Sequence, residues 1–144
     1  MLTTHPMMRL VSISAMAGAL ALAGCAALPT PAACPVGQEP MRTAQLFFGQ
    51  NIGGKPGVSD AEFRRFVDEE LTPLFPSGLT VLDGGGQWKG DENRLIREAS
   101  KVVVLVLPNG PEAGKKLEAA RKAYKARFHQ ESVLLVTQAA CVDF

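Results

Sequence analysis

The chain reads as an α+β domain with a ferredoxin-like βαββαβ sandwich: a four-stranded antiparallel sheet with two helices on one face. Three observations predict it. Between Lys101 and Pro108 lie six consecutive apolar residues, four of them valine, a length and branching that favour a strand covered on both sides. Ser59 and Glu62 form the frame of a capping box ahead of Phe63, Phe66, Val67 and Leu71, which recur at helical spacing. Beyond the breaker Pro108-Asn109-Gly110-Pro111, a second stripe follows at Ala113, Leu117, Ala120, Tyr124 and Phe128. With strands on either side of each helix, two right-handed crossovers interleave, and the valine strand falls inside the sheet.

The first 24 residues read as an export signal. Arg9 supplies the charged n-region, and the apolar run from Leu10 to Ala23 is too short for a comfortable membrane span. The run closes on Leu22-Ala23-Gly24-Cys25, a bacterial lipobox, which makes Cys25 the expected lipidation site and the first residue of the mature protein. Met7 and Met8 are alternative starts to Met1, and either brings Arg9 nearer the terminus. Several acyl chains, each buried CH₂ adding about 0.8 kcal/mol, make a stable anchor. No aspartate follows the cysteine, so in a Gram-negative cell the expected location is the outer membrane, facing the periplasm. Residues 25–40 carry Pro29, Pro31, Pro35 and Pro40 without apolar periodicity and read as a stiffened tether. Residues 41–144 form the single folded domain.

Composition narrows the function. The chain has 15 basic and 14 acidic residues, and removal of the signal takes away Arg9, leaving the domain neutral. Neutrality offers no electrostatic reason to bind nucleic acid. Of the two histidines, His5 lies in the signal, and His129 alone cannot build a multi-histidine metal site. Neither a metal nor a cofactor is expected.

Taken in order, strands are expected over residues 42–49, 78–88, 94–107 and 132–139, and helices over 59–71 and 111–128. Pro73 stops the first helix, and Lys115, Lys116, Arg121, Lys122, Lys125 and Arg127 make the solvated face of the second. The spatial order becomes fourth, first, third, second. Antiparallel first and fourth strands bring Cys34 and Cys141 to neighbouring points. Once Cys25 is acylated these are the remaining thiols, and in an exported compartment the topology predicts a disulfide between them.

Leu46-Phe47-Phe48-Gly49, Gly78-Leu79-Thr80-Val81-Leu82-Asp83, Gly86-Gln87-Trp88, Arg97-Glu98-Ala99-Ser100-Lys101 and Ala140-Cys141-Val142-Asp143-Phe144 run through most of the domain. In these segments the chain resembles the bacterial lipoprotein family known as domain of unknown function 3574. That resemblance implies an envelope protein and no assigned activity.

A hairpin turn centred on Asp91-Glu92 pairs Asp83 with Ser100, Gly85 with Glu98 and Gln87 with Ile96. That register places Asp83, Gln87, Glu98 and Ser100 on one face beside Gly84-Gly85-Gly86, and Trp88, Leu82, Leu95, Val103, Leu105 and Leu107 on the other; a slip of one residue exchanges the faces. Asp83, Gln87, Trp88, Glu98 and Ser100 are therefore the candidate ligand or polar cluster. Two carboxylates near a glycine gap suit a cation or acid–base work, whereas salt-bridging by Arg97 or Lys101 makes the same group a plain polar sheet end. The glycines lack the Lys-Ser/Thr ending of a phosphate loop, and Ser100 has no histidine placed to activate it, so no catalytic residue is assigned.

Two function classes remain. One is a tethered binding or structural module of the cell envelope, acting as a homodimer or with an envelope protein through its sheet face. The other is a small cofactor-independent enzyme resembling the dimeric α+β barrel oxygenases or isomerases. The absence of a histidine beside Trp88 or Tyr124 favours the module. The helices are expected to bury Val102, Val104 and Val106, leaving Val103, Leu105 and Leu107 on an open apolar face with Leu82 and Trp88.

Overall fold

A computed structural model describes residues 33–90 and 92–144. The signal, the lipobox with Cys25, the tether up to residue 32 and Asp91 lie outside the described residues.

The main sheet is built from β1 (Glu39–Gly49), β4 (Thr80–Lys89), β5 (Leu95–Pro108) and β6 (Leu134–Val142). Two short strands, β2 (Asn51–Ile52) and β3 (Lys55–Pro56), form a small hairpin after β1. The sheet order is β4-β5-β1-β6 with antiparallel neighbours throughout, which is the expected topology with the valine strand inside. Helices α1 (Asp60–Phe66) and α3 (Pro111–Phe128) cover one side.

Local chemistry explains each helix. Ser59 N–H donates to Glu62 Oε2 at 2.9 Å and Glu62 N–H to Ser59 Oγ at 3.3 Å, so the capping box closes in both directions. Val58 and Phe63, the staple positions, are both buried. After Phe66 the helix widens into a π-helical turn over Val67–Leu71, where Thr72 N–H reaches Val67 O, and α2 (Thr72–Leu74) completes it. Pro73 has no N–H to give to a normal helical ladder, and the wider turn comes just before it. The helix therefore ends at Leu74 rather than Leu71, and Phe75 is still buried. Helix α3 starts at Pro111 and buries the whole expected stripe from Ala113 to Phe128.

The core is aromatic at its centre. Phe48 lies edge-on to Phe63, Phe66 and Tyr124 with ring centroids 5.6, 5.8 and 4.6 Å apart. Around it pack Leu46, Leu71, Leu105, Leu117 and Val103. All of this core comes from within residues 33–144, so that segment contains the packing it needs to fold.

Cys34 and Cys141 form a disulfide with Cα atoms 5.5 Å apart, joining the segment before β1 to the end of β6. Two strand ends shift with it. Strand β1 begins at Glu39, inside the expected tether, because it pairs with β6 as far as Glu39 opposite Val142. Strand β6 correspondingly runs to Val142 instead of stopping at 139.

The faces of the valine strand are the reverse of expectation. Val103, Leu105 and Leu107 are buried under the helices, and Val102, Val104 and Val106 lie on the open side. On the helix side of the sheet Leu46 and Phe48 of β1 lie opposite Val103 and Lys101, and the β4–β5 register is shifted as well. Asn93 takes a left-handed conformation (φ 57°), and Gly90 and Arg94 close a loop of odd length through Gly90 N–H to Arg94 O at 3.0 Å. Asp83 then faces Lys101, and Gln87 faces Arg97, one residue away from the symmetric turn at Asp91-Glu92. A one-residue slip moves every side chain to the opposite face.

Candidate functional site

The same slip divides the expected cluster. Asp83 and Gln87 point to the helix side of the sheet with Arg97 and Lys101. Gly84, Gly86, Glu98, Ser100 and Trp88 belong to the open side. The four polar residues thus do not share a face, and Asp83, Gln87 and Glu98 each find their own partner.

Asp83 accepts from Lys101 Nζ, which also lies 2.7 Å from Asp60 Oδ1. Lys101 is buried (8% exposed) although both carboxylates are open to water. Asp60, then Asp83, hold the ammonium in its charged form and raise its pKa against the effect of burial. The Lys101 hydrogen bond, with a smaller one from Gln50, keeps the Asp60 carboxyl below the usual range. Gln87 accepts from Arg97 Nε at 3.1 Å. Asp83 thus makes a salt bridge at this sheet end with Lys101, and Gln87 a hydrogen bond with Arg97. A cleft of about 290 Å³ lies beside Asp83, with Asp60, Phe63, Arg64, Val81 and Lys101 in its walls. Among the described residues no three His, Cys, Asp or Glu side chains converge as metal ligands would.

Glu98 and Ser100 sit over glycines. Glu98 Oε1 accepts from the Asn51 backbone N–H at 2.8 Å, and a Cβ on Gly49 would come within 2.6 Å of that oxygen. A Cβ on Gly84 would come within 2.9 Å of Ser100 Oγ. A side chain at 49 would thus displace the Glu98 carboxylate from Asn51 N–H, and the sequence offers no signal of this beyond the glycine itself. Tyr124 reaches the same point from the helix side, its Oη donating to Gly49 O at 2.7 Å, and Gln130 Nε2 donates to Asn51 O at 2.6 Å. Residues 49–51 are fastened from α3, β5 and the segment beyond α3. Sequence reasoning placed Tyr124 in the core without its hydroxyl's role, and placed neither Asp60 nor Asn51 in any site.

Burial, then the negative charge of Glu98, pushes the Tyr124 phenol well above its usual range. Below about pH 10, the ordinary tyrosine value, the phenol is neutral in folded and unfolded chains alike. Above it the unfolded chain loses the proton first, so stability falls as pH rises. Tyr124→Phe removes that alkaline decline and costs about 1 kcal/mol at neutral pH through the lost hydrogen bond. Urea midpoints at pH 7 and pH 11 check both parts; equal alkaline losses in the two proteins contradict the assignment.

The open side is apolar over a wide span. Phe47, Val102, Val104, Val106 and Val136 are half-buried there, while Leu82 and Leu134 are 50% and 59% exposed. No helix of the described residues crosses this side. Beyond Ser100, opposite Gly49, β1 ends, and β4 and β5 continue alone as a two-stranded arm. The arm carries Trp88, 46% exposed, paired with Ile96 on the same side of the sheet. Leu134, Phe47, Val102 and Leu82 make an apolar row across the open face, with Gln45 between Val104 and Val136, and Glu98 and Ser100 separate that row from Trp88 and Ile96 on the arm.

Comparison with known proteins agrees with this fold. The profile of the family described as protein of unknown function (DUF3574) matches residues 43–144. None of the curated proteins matches the chain. Among solved structures, the chain is similar to a phage SAM lyase in complex with S-methyl-5'-thioadenosine (TM-score 0.55, 17% identity), covering 81% of this chain and 97% of that one. The apo form of a phage SAM lyase is similar to the same degree (TM-score 0.56, 18% identity, 80% and 97% covered). At such identity the likeness is one of fold. The chain belongs to the DUF3574 family.

Proposed function

We propose that this DUF3574 protein is a cell-envelope module, anchored by lipid on Cys25 and facing the periplasm, that self-associates through its open sheet face. The observation that supports the reading most is the uncovered apolar row Leu134, Phe47, Val102 and Leu82 across the sheet, with Val104 and Val106 beside it and Trp88 on the arm. Monomers rarely leave a contiguous apolar patch of this kind in water. A two-stranded arm is at best marginally stable without something packed on it. A second copy, related by a two-fold axis, covers face with face and arm with face in one contact. The near absence of charge on this side, where Glu98 is already engaged by Asn51 N–H, suits a self-complementary contact. The small-enzyme alternative gains only the fold it shares with the SAM lyases, since no described side chain is poised as an acid, base or nucleophile against a pocket on that face.

Two experiments test the parts separately. Cys25→Ser in the full chain leaves an unprocessed precursor that no longer partitions into detergent; normal maturation and partitioning of this variant contradict the anchor. Val104→Glu, which places a charge at the centre of the face without touching the core under the helices, turns the associated protein into a monomer with unchanged circular dichroism. Unaltered association of that variant contradicts the sheet-face contact.

A further inference from the structure

We propose that the cavity between α2, the end of β5 and the start of α3 is a binding site for a single-chain anionic amphiphile, with the tail inside and the acid at the mouth. The cavity measures about 320 Å³, and its walls include Leu74, Phe75, Leu107, Pro111 and Ala113. That is the lower end of the size range of small-ligand pockets and the usual apolar lining. Phe75, Leu107 and Ala113 are otherwise buried, so the apolar lining belongs to the core and is rigid.

The mouth has the opposite character. Lys116 stands on it, and the single acid there, Glu112, is occupied by Lys115 Nζ at 2.7 Å. The first turn of α3, which borders the cavity, carries no side-chain cap hydrogen bond. Gly110, with φ 145°, makes the sharp turn from strand to helix, and a Cβ there would meet nothing within 4 Å, so the mouth stays open. Among the described residues no carboxylate pairs with the Lys116 ammonium, so a tail in the apolar box with an acid beside that ammonium is the complementary occupant.

The place of the cavity suggests where such a molecule comes from. Asn109, in its wall, donates through Nδ2 to Pro40 O at 2.9 Å, and Met41 pairs with Pro108. The cavity thus opens at the end of the domain where the tether arrives. From Cys25 to Cys34 the chain spans at most roughly 30 Å. If the anchor reading above holds, on which this step rests, the tether's length keeps the domain within reach of the membrane that supplies lipid acids.

The experiment titrates dodecanoate into residues 26–144 and follows backbone amide shifts. Saturable shifts at submillimolar concentration, centred on Phe75, Gly110 and Ala113, are expected. Lys116→Gln, an exposed change that leaves the fold alone, weakens dodecanoate about tenfold, the effect of one charge-assisted contact, and leaves dodecanol unchanged. Ala113→Trp fills the cavity and removes both. Binding that responds to phosphatidylglycerol vesicles but not to dodecanoate overturns the site, as do shifts centred on Phe47 and Val102 or equal weakening of acid and alcohol by Lys116→Gln. None of these readouts needs Cys25, so a failed anchor and a failed cavity are told apart.

Discussion

Phe48→Ala lowers the unfolding free energy by about 3–5 kcal/mol, the range for removing a buried phenylalanine from a packed core. Phe48 is fully buried, and its ring contacts Phe63, Phe66 and Tyr124, which themselves come from α1 and α3. It is the residue through which the sheet grips both helices, so no neighbour can collapse into the void without moving a helix. Domains of this size have about 5–15 kcal/mol in total, so the variant is near the edge of folding. Its melting temperature falls by roughly 15 °C or more. A loss under about 1 kcal/mol in a urea titration would contradict the aromatic centre described here.

Removing the disulfide by Cys34→Ser has the second largest effect. The bridge spans 107 residues and so closes nearly the whole domain into one loop. Loop-closure entropy sets about 4.7 kcal/mol for a loop of about 100 residues, and measured values commonly fall near 2–4 kcal/mol. The loss acts mostly on the unfolded chain, so native spectra of the variant stay unchanged while its urea midpoint drops. Strand β6 is an edge strand held by β1 alone, and its last residues, near Val142, exchange amide hydrogens first once Cys141 is released. Intact mass under non-reducing conditions, lighter by the hydrogens of one closed bond, confirms the starting state. Alkylation of both thiols in the folded wild type, or equal midpoints, contradicts the bridge.

Why the fold was legible and the site was not follows from particular residues. The helices announce themselves locally: Ser59 with Glu62 for one start, Pro111 for the other, and apolar stripes that match the buried residues one for one on α3. Topology then followed from element order, and with it the nearness of Cys34 and Cys141. The sheet faces depended on something smaller. The loop closed between Gly90 and Arg94, with Asn93 left-handed, sets the register between β4 and β5. A residue-by-residue reading cannot distinguish that from a symmetric turn, because a continuous run of valine and leucine is apolar on both faces in either register. The one-residue slip separates Asp83 and Gln87 from Glu98 and Ser100, and it puts Leu82 and Trp88 on the side of Val102, Val104 and Val106 instead of Val103, Leu105 and Leu107. The contact of Lys101 with Asp60 joins residues far apart in the chain. Periodicity carries no trace of it.

The most direct test of the central claim is sedimentation equilibrium of residues 26–144 over a wide concentration range. The open face predicts a mass of twice the chain that dissociates only on dilution to the micromolar range or below. A monomer at high micromolar concentration that also binds no apolar dye would contradict it, because the surface from Leu134 to Trp88 would then be tolerated in water with nothing covering it.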